Sequence, residues 1–229
     1  MAAEIEYSAL SGKTGVICDQ IERRLAEGYY RFGEEIFTQD LVKEFGASRA
    51  PVTSALNFLR ASGYLVITPQ VGCRVISPSL SEIEDFFTVY GRVEGTMAGF
   101  AAERHYDVEL EALQDVQRQV KRASPKKKEK VSPHFVKLVA DFHAQIHQMS
   151  HSNMEAVRAA KYWRMSEFYL FNANRMNVSG GLALGIADKQ RSAIVDAIAK
   201  RDAEQARVLM EEHMRGKPQR VGARGADSN

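Results

Sequence analysis

Two histidines, His143 and His147, stand four residues apart, a one-turn spacing that zinc ligands use on a helix. Farther along, Arg191 lies among Leu184, Ala187, Ile194 and Ile198 at helical intervals, so it projects from an apolar stripe. A guanidinium facing an interior is costly unless paired. Arg191 therefore needs either a carboxylate of the chain, Glu94 being one possibility, or an anionic ligand. His213 follows Ala206, Leu209 and Met210 on a comparable stripe, and His143 follows Val136 and Val139. No nucleophile–base constellation stands out, and the 6 histidines are few for catalysis. "SGKTG" carries the Gly-Lys-Thr ending of a phosphate-binding loop, but Tyr7 holds the place of its first glycine and no strand precedes it. "SGGLALG" follows a helical stretch and is explained by a helix break and restart.

The totals bound what must position these groups. With 229 residues and 45% hydrophobic side chains, the chain can bury one large core or two modest ones. No apolar run approaches the ~20 residues that span a bilayer. The opening "MAAEIEYSALSGK" is acidic and lacks the long apolar segment of a secretory signal. Cys18 and Cys73 show no metal or redox spacing and read as reduced thiols in the cytoplasm. The net charge is +2, and residues 1–76 hold eight bases against nine acids. If this part binds DNA, it does so by arranging charge on one face, not by bulk attraction.

Periodicity supplies the elements. A helix over 14–27 carries Val16, Ile17, Ile21 and Leu25, and Gly28 ends it. Thr38 caps a second helix with Leu41, Val42 and Phe45 inside and Gly46 as its stop. Ser48 caps a third, and Pro51 falls in its first turn, where the missing N–H has no intrahelical partner. "YLVITP" and "CRVISP" around "QVG" read as a hairpin. Three helices and a hairpin make a winged helix-turn-helix over 1–76. After a linker at 77–80, strand signals vanish. Six helices are expected at 81–104, 107–122, 133–150, 152–176, 181–200 and 202–215, an all-α bundle. "SPKKKEKVSP" and "NVSGG" interrupt them, and 216–229 reads as a disordered, polar, glycine-rich tail. The aromatic set Tyr162, Trp163, Phe168, Tyr169 and Phe171 reads as core or dimer contact.

"GASRAPVTSALNFLRASGYLVITPQVGCRV" resembles the GntR family of bacterial transcription regulators, whose pattern runs "GVSRTPVREAL…L…GLV…P..G..V". The helical remainder is similar to the effector domain of its FadR-type members, the FCD domain. The likeness rests on Phe142-His143, on Ser150–Asn153, and on Ala193–Ile198, Asp202, Ala206, Met210 and His213. The resemblance implies a homodimer on a two-fold double-stranded DNA operator, with the third helix in the major groove. Ser48, Arg49 and Thr53 then lie at that helix's positive end, Arg49 suited to a guanine edge or a phosphate. Thr38 can reach a phosphate, Gly72 lets the wing backbone approach the minor groove, and Glu44 is the rival partner for Arg49. Thr53 and Gln39 stand where the family has arginines, so the operator should differ from the common one.

The FCD pattern also implies a divalent metal held by an Asp and three histidines. Carried over, those positions are Val139, His143, Arg191 and His213. Valine donates nothing, and a fixed positive charge repels a cation. A three-nitrogen zinc-type site from His143, His147 and His213 remains as one alternative, and an all-α enzyme without a DNA role as another. The favoured expectation is that Arg191, with His143 and His213, grips a small organic acid directly, without a metal, and that binding re-spaces the DNA-binding domains. Repression is the family's commoner mode.

Overall fold

The computed structural model describes residues 12–68, 72–125, 131–174 and 182–222. By their contacts these form two compact units, Met1–Leu80 with Arg164–Arg175, and Ser81–Trp163 with Met176–Asn229.

In the first unit, α1 (Lys13–Ala26), α2 (Thr38–Phe45) and α3 (Arg49–Ala61) precede β2 (Leu65–Thr68) and β3 (Gly72–Val75). A two-residue strand β1 (Glu35–Ile36), absent from the sequence reading, pairs antiparallel with β3 to give the order β1-β3-β2. α1 buries Ile17, Cys18, Ile21 and Leu25, whereas Val16 is 58% exposed and stands off the inner face assigned to it. Phe37, not Thr38, precedes α2, so Thr38 is its first helical residue. Gly46 ends α2 at φ 55°, the left-handed backbone that glycine adopts without steric cost. α3 begins behind Ser48, with Pro51 inside its first turn as expected, although the Ser48 side chain makes no capping bond. Its inner face of Val52, Ala55, Leu56 and Leu59 packs into the core.

The second unit is helical: α4 (Leu80–Arg104), α5 (Asp107–Ala123), α6 (Pro133–Met149), part of α7 (Asn153–Asn174), α8 (Leu182–Ala199) and α9 (Ala203–Gly222). Ser132 caps α6, its Oγ accepting the Phe135 N–H at 3.1 Å, with Pro133 opening the helix. The end set at Arg215 is too early, because α9 runs on to Gly222. Composition misses the tertiary contact made there, Lys217 Nζ over the Trp163 ring at 4.3 Å. Residues 223–229, 126–130 and 177–181 lie outside the described ones, as does the wing tip at 69–71. None of the described helices is long and apolar enough to cross a membrane.

Close approach between α4 and α9 rests on glycine. A Cβ built at Gly95 would lie 2.6 Å from Glu211 Cγ and 2.8 Å from the Arg207 carbonyl oxygen. Gly95→Ala must therefore push α9 away, and ~1–3 kcal/mol of stability should be lost. Gly185, with nothing within 4 Å of such a Cβ, is the control. Its alanine variant should be neutral or stabilised by up to ~1 kcal/mol. Thermal unfolding of the two variants checks the contrast.

Candidate functional site: a buried charge cluster and an exposed helix face

Glu94, midway along α4, has no exposed surface. His143 Nδ1 meets its Oε2 at 2.6 Å, and His147 Nε2 meets its Oε1 at 2.7 Å. The i,i+4 spacing of the two histidines thus serves a carboxylate, one ring for each oxygen. Burial alone would raise the Glu94 carboxyl, but His147 and His143 outweigh it and hold it well below the usual carboxylate range. Burial, aided by the positive charge of Lys217, pushes His143 down to about 4. At neutral pH Glu94 is ionised and His143 is neutral. Its Nδ1 therefore carries the proton donated to Glu94, and its Nε2 carries a lone pair. That Nε2 is buried and has no hydrogen-bond partner among the described residues.

His213, on α9, lies 5.9 Å from His143 between ring centroids, in a stacked arrangement, and its Nδ1 meets Gln190 Oε1 at 3.2 Å. Trp163 closes on His143 from α7, with ring centroids 4.6 Å apart. The structure thus brings His143, His147 and His213 into one neighbourhood and adds Glu94 and Trp163 to them.

Arg191 is 2% exposed, flanked on its helix by buried Ala187, Ile194 and Ile198 as the periodicity required. The Leu184 side chain lies outside the described ones. Glu94, committed to two imidazoles, is not the partner of Arg191. Among the described residues the carboxylate that pairs with it is Asp188, with Oδ1 at 3.6 Å from Nη2, beyond hydrogen-bond range. Asp188 Oδ1 already accepts Gln117 Nε2 at 2.9 Å. Arg191 Nε and Nη2 are both buried without a partner among the described residues. Burial lowers the guanidinium to about 10 against the pull of Asp188, which leaves it charged at neutral pH.

A metal does not fit these residues. Val139 and Arg191 occupy two of the four positions, and His147 turns Nε2 onto Glu94. Among the described residues no three His, Cys, Asp or Glu side chains are placed to hold a metal ion. The three-histidine alternative is thereby corrected: the imidazoles are arranged around a carboxylate.

In the first unit, Ser48, Arg49, Thr53 and Gln39 are exposed and Thr38 is half-buried, while Gly72 opens β3 opposite Thr68. The rival pairing of Arg49 with Glu44 does not form. Glu44 instead accepts from both terminal nitrogens of Arg24, Nη1 at 3.0 Å and Nη2. Ser54, Asn57 and Arg60 continue the exposed face of α3, and the sequence reading left them out although the same helical periodicity places them there.

Residues 13–75 match the family described as bacterial regulatory proteins, gntR family, and residues 85–216 match the FCD domain. The chain belongs to the GntR family of bacterial transcription regulators and carries an FCD domain. The uncharacterized HTH-type transcriptional regulator YdhC of Bacillus subtilis (strain 168) is 22% identical over 134 residues, 58% of this chain. The matched stretch spans 59% of that relative's length. Among solved structures, E. coli McbR/YncC is similar, with a TM-score of 0.72 at 17% identity over 89% of this chain and 94% of that one. A putative transcriptional regulator GntR from Rhodococcus sp. RHA1 gives a TM-score of 0.67 at 17% identity, over 93% and 99%. These structural likenesses show the fold, and the Bacillus subtilis and Rhodococcus relatives are named as transcriptional regulators.

The buried cluster sets an acid limit on stability. Below about 6.5 an unfolded His143 binds a proton that the folded one refuses until about 4. Stability is therefore complete above about 6.5 and falls as pH drops through that window, by on the order of 3 kcal/mol in all. Glu94, held low, adds a further loss below the ordinary carboxylate range. The thermal midpoint should decline from pH 7 toward pH 4.5, and His143→Gln, which cannot titrate, should flatten the decline between pH 6.5 and 5.

Proposed function

We propose that the chain is a sequence-specific DNA-binding transcription regulator, working as a cytoplasmic homodimer and as a repressor, whose FCD domain senses a small organic acid without a metal. The observation that carries the sensing half is Arg191, a buried cation with two N–H-bearing nitrogens left over for a ligand. A carboxylate satisfies both in the side-on geometry that guanidinium favours. The neutral His143 Nε2 has the opposite demand. A lone pair repels carboxylate oxygen and accepts a hydroxyl or N–H, so the acid that suits the cluster carries such a donor as well. His213, stacked beside His143, is the third residue we assign to the acid site with Arg191.

For the DNA half, the exposed first turns of α3 and the family membership support α3 as the reading helix, with Arg49 at a base edge or phosphate and Thr38, Gln39, Ser48, Thr53 and Gly72 around it. Two copies on a two-fold operator must meet half-sites about one helical turn apart. An acid that prefers one geometry of the dimer shifts the population toward it; one that binds both geometries equally changes nothing.

Thermal shifts with glycolate, lactate, malate and gluconate in EDTA test the sensing half. At least one acid should raise the midpoint by several degrees in the wild type and by less than a degree in Arg191→Ala. Stabilisation that needs added metal, or that survives loss of Arg191, would overturn the proposal. Gel shifts on the chain's own upstream DNA against a scrambled duplex, over a salt series, test the other half. A specificity ratio of roughly a thousandfold or more is expected. Arg49→Ala should cost ~1–3 kcal/mol if it reads a base. Equal affinity for both duplexes would remove the regulator reading.

A further inference from the structure

Helix α7 divides its residues between the two units. Up to Trp163 it belongs to the second, and from Arg164 onward to the first. On the first side of that division Trp163 packs on His143, 4.6 Å between ring centroids, and lies under Lys217 Nζ at 4.3 Å. Tyr162 stacks on Tyr90 of α4 at 5.5 Å, one turn of α4 before Glu94. The wall of the acid cluster is therefore the last turn of α7 before it changes units.

The next residues are core of the winged helix. Phe168 has no exposed surface and lies among Ile21, Leu25, Leu59, Tyr64 and Leu65. Its ring meets Phe32 and Tyr64 edge-on, each at 5.3 Å. Arg164 pairs with the buried Glu22 of α1 at 3.1 Å, and Asn172 Oδ1 accepts the Phe32 backbone N–H at 2.9 Å. A hydrophobic anchor, an ion pair and a backbone hydrogen bond thus fix this half of α7 to the DNA-binding unit.

We propose that α7 is the element through which occupancy of the acid cluster is felt by the DNA-binding unit, a single helix that walls the cluster at Trp163 and fills the winged-helix core at Phe168. This rests on the sensing role proposed above for the cluster. An uninterrupted helix is stiff over the five residues that separate the two side chains, so displacing Trp163 displaces Phe168 within a close-packed core. The connection at residues 77–80 then need not carry the signal alone.

The chain holds its own reporters. Its 1 tryptophan is in the cluster wall, and its 2 cysteines, Cys18 and Cys73, are both buried in the first unit. Urea unfolding of the full chain is followed by Trp163 emission and, in parallel, by labelling of the two thiols with an aromatic disulfide reagent. In the wild type the two midpoints should coincide. Insertion of two glycines between Trp163 and Arg164 should separate them by at least ~0.5 M urea. Separate midpoints in the wild type, or an insertion that leaves them together, would overturn the proposal. Should the insertion variant not fold, Phe168→Leu decides: the thiol midpoint should fall and the Trp163 midpoint should fall with it, and an unmoved Trp163 midpoint overturns the proposal. In a further arm, glycolate, lactate, malate and gluconate are added. An acid that raises the Trp163 midpoint should raise the thiol midpoint in the wild type and not in the insertion variant. If no acid moves either midpoint, the acid reading fails while the urea comparison still judges the helix.

Discussion

Glu94 sits without exposed surface in the middle of a 25-residue helix, and two imidazoles allow it to stay ionised there. A carboxylate taken out of water costs several kcal/mol unless its oxygens are satisfied. His143 and His147 satisfy one oxygen each, and that duty fixes much else. It orients both rings, sets the His143 tautomer, turns Nε2 into an acceptor, and leaves Glu94 nothing to offer Arg191. The rest of the cluster is what remains once this carboxylate has been served.

Two opposite charges in one helical unit that do not neutralise each other are a telling arrangement. Pairing Arg191 with Glu94 would have met both desolvation costs at once, as structural ion pairs do. Instead Arg191 keeps Asp188 at 3.6 Å, a distance that gives attraction without a hydrogen bond. Among the described residues the unit therefore leaves donors on α8 and an acceptor on α6 without partners. Retained capacity of this kind costs stability in the empty state, and binding of a complementary ligand offsets that cost. In the function proposed above, the two departures from the FCD ligand pattern, Val139 and Arg191, are complementary: one removes a charge that would hold a cation, and the other supplies a positive charge of the chain's own.

Local rules made much of this legible. Pro51 behind Ser-Arg marks a helix start because proline tolerates only the first turn, and the structure places α3 there. Arg191 stood out because its neighbours at helical spacing are apolar, and it is buried. Glu94 escaped as a site residue although it stands on an equally apolar face with Tyr90, Met97 and Ala98. Its partners are 49 and 53 residues away, beyond any spacing rule. Lys217 escaped because "GKPQRVG" has the composition of a tail, whereas its role depends on a ring far off in sequence. Arg49 shows the reverse: Glu44 was near enough in sequence to be a partner, but Arg24, 20 residues before Glu44, takes it.

The aromatic set of α7 illustrates why composition could name a stripe but not its use. Read as one face, Trp163 and Phe168 suggest a single buried surface. At ~100° per residue they point about 140° apart around the helix, too far to share one narrow face. A helix whose apolar residues are spread round its circumference must be covered on more than one side. Here the structure shows separate partners for the two residues, His143 and Lys217 for Trp163, Phe32 and Tyr64 for Phe168. Their union in one unbroken helix, with separate partners on different sides of it, is the basis of the role proposed above for α7.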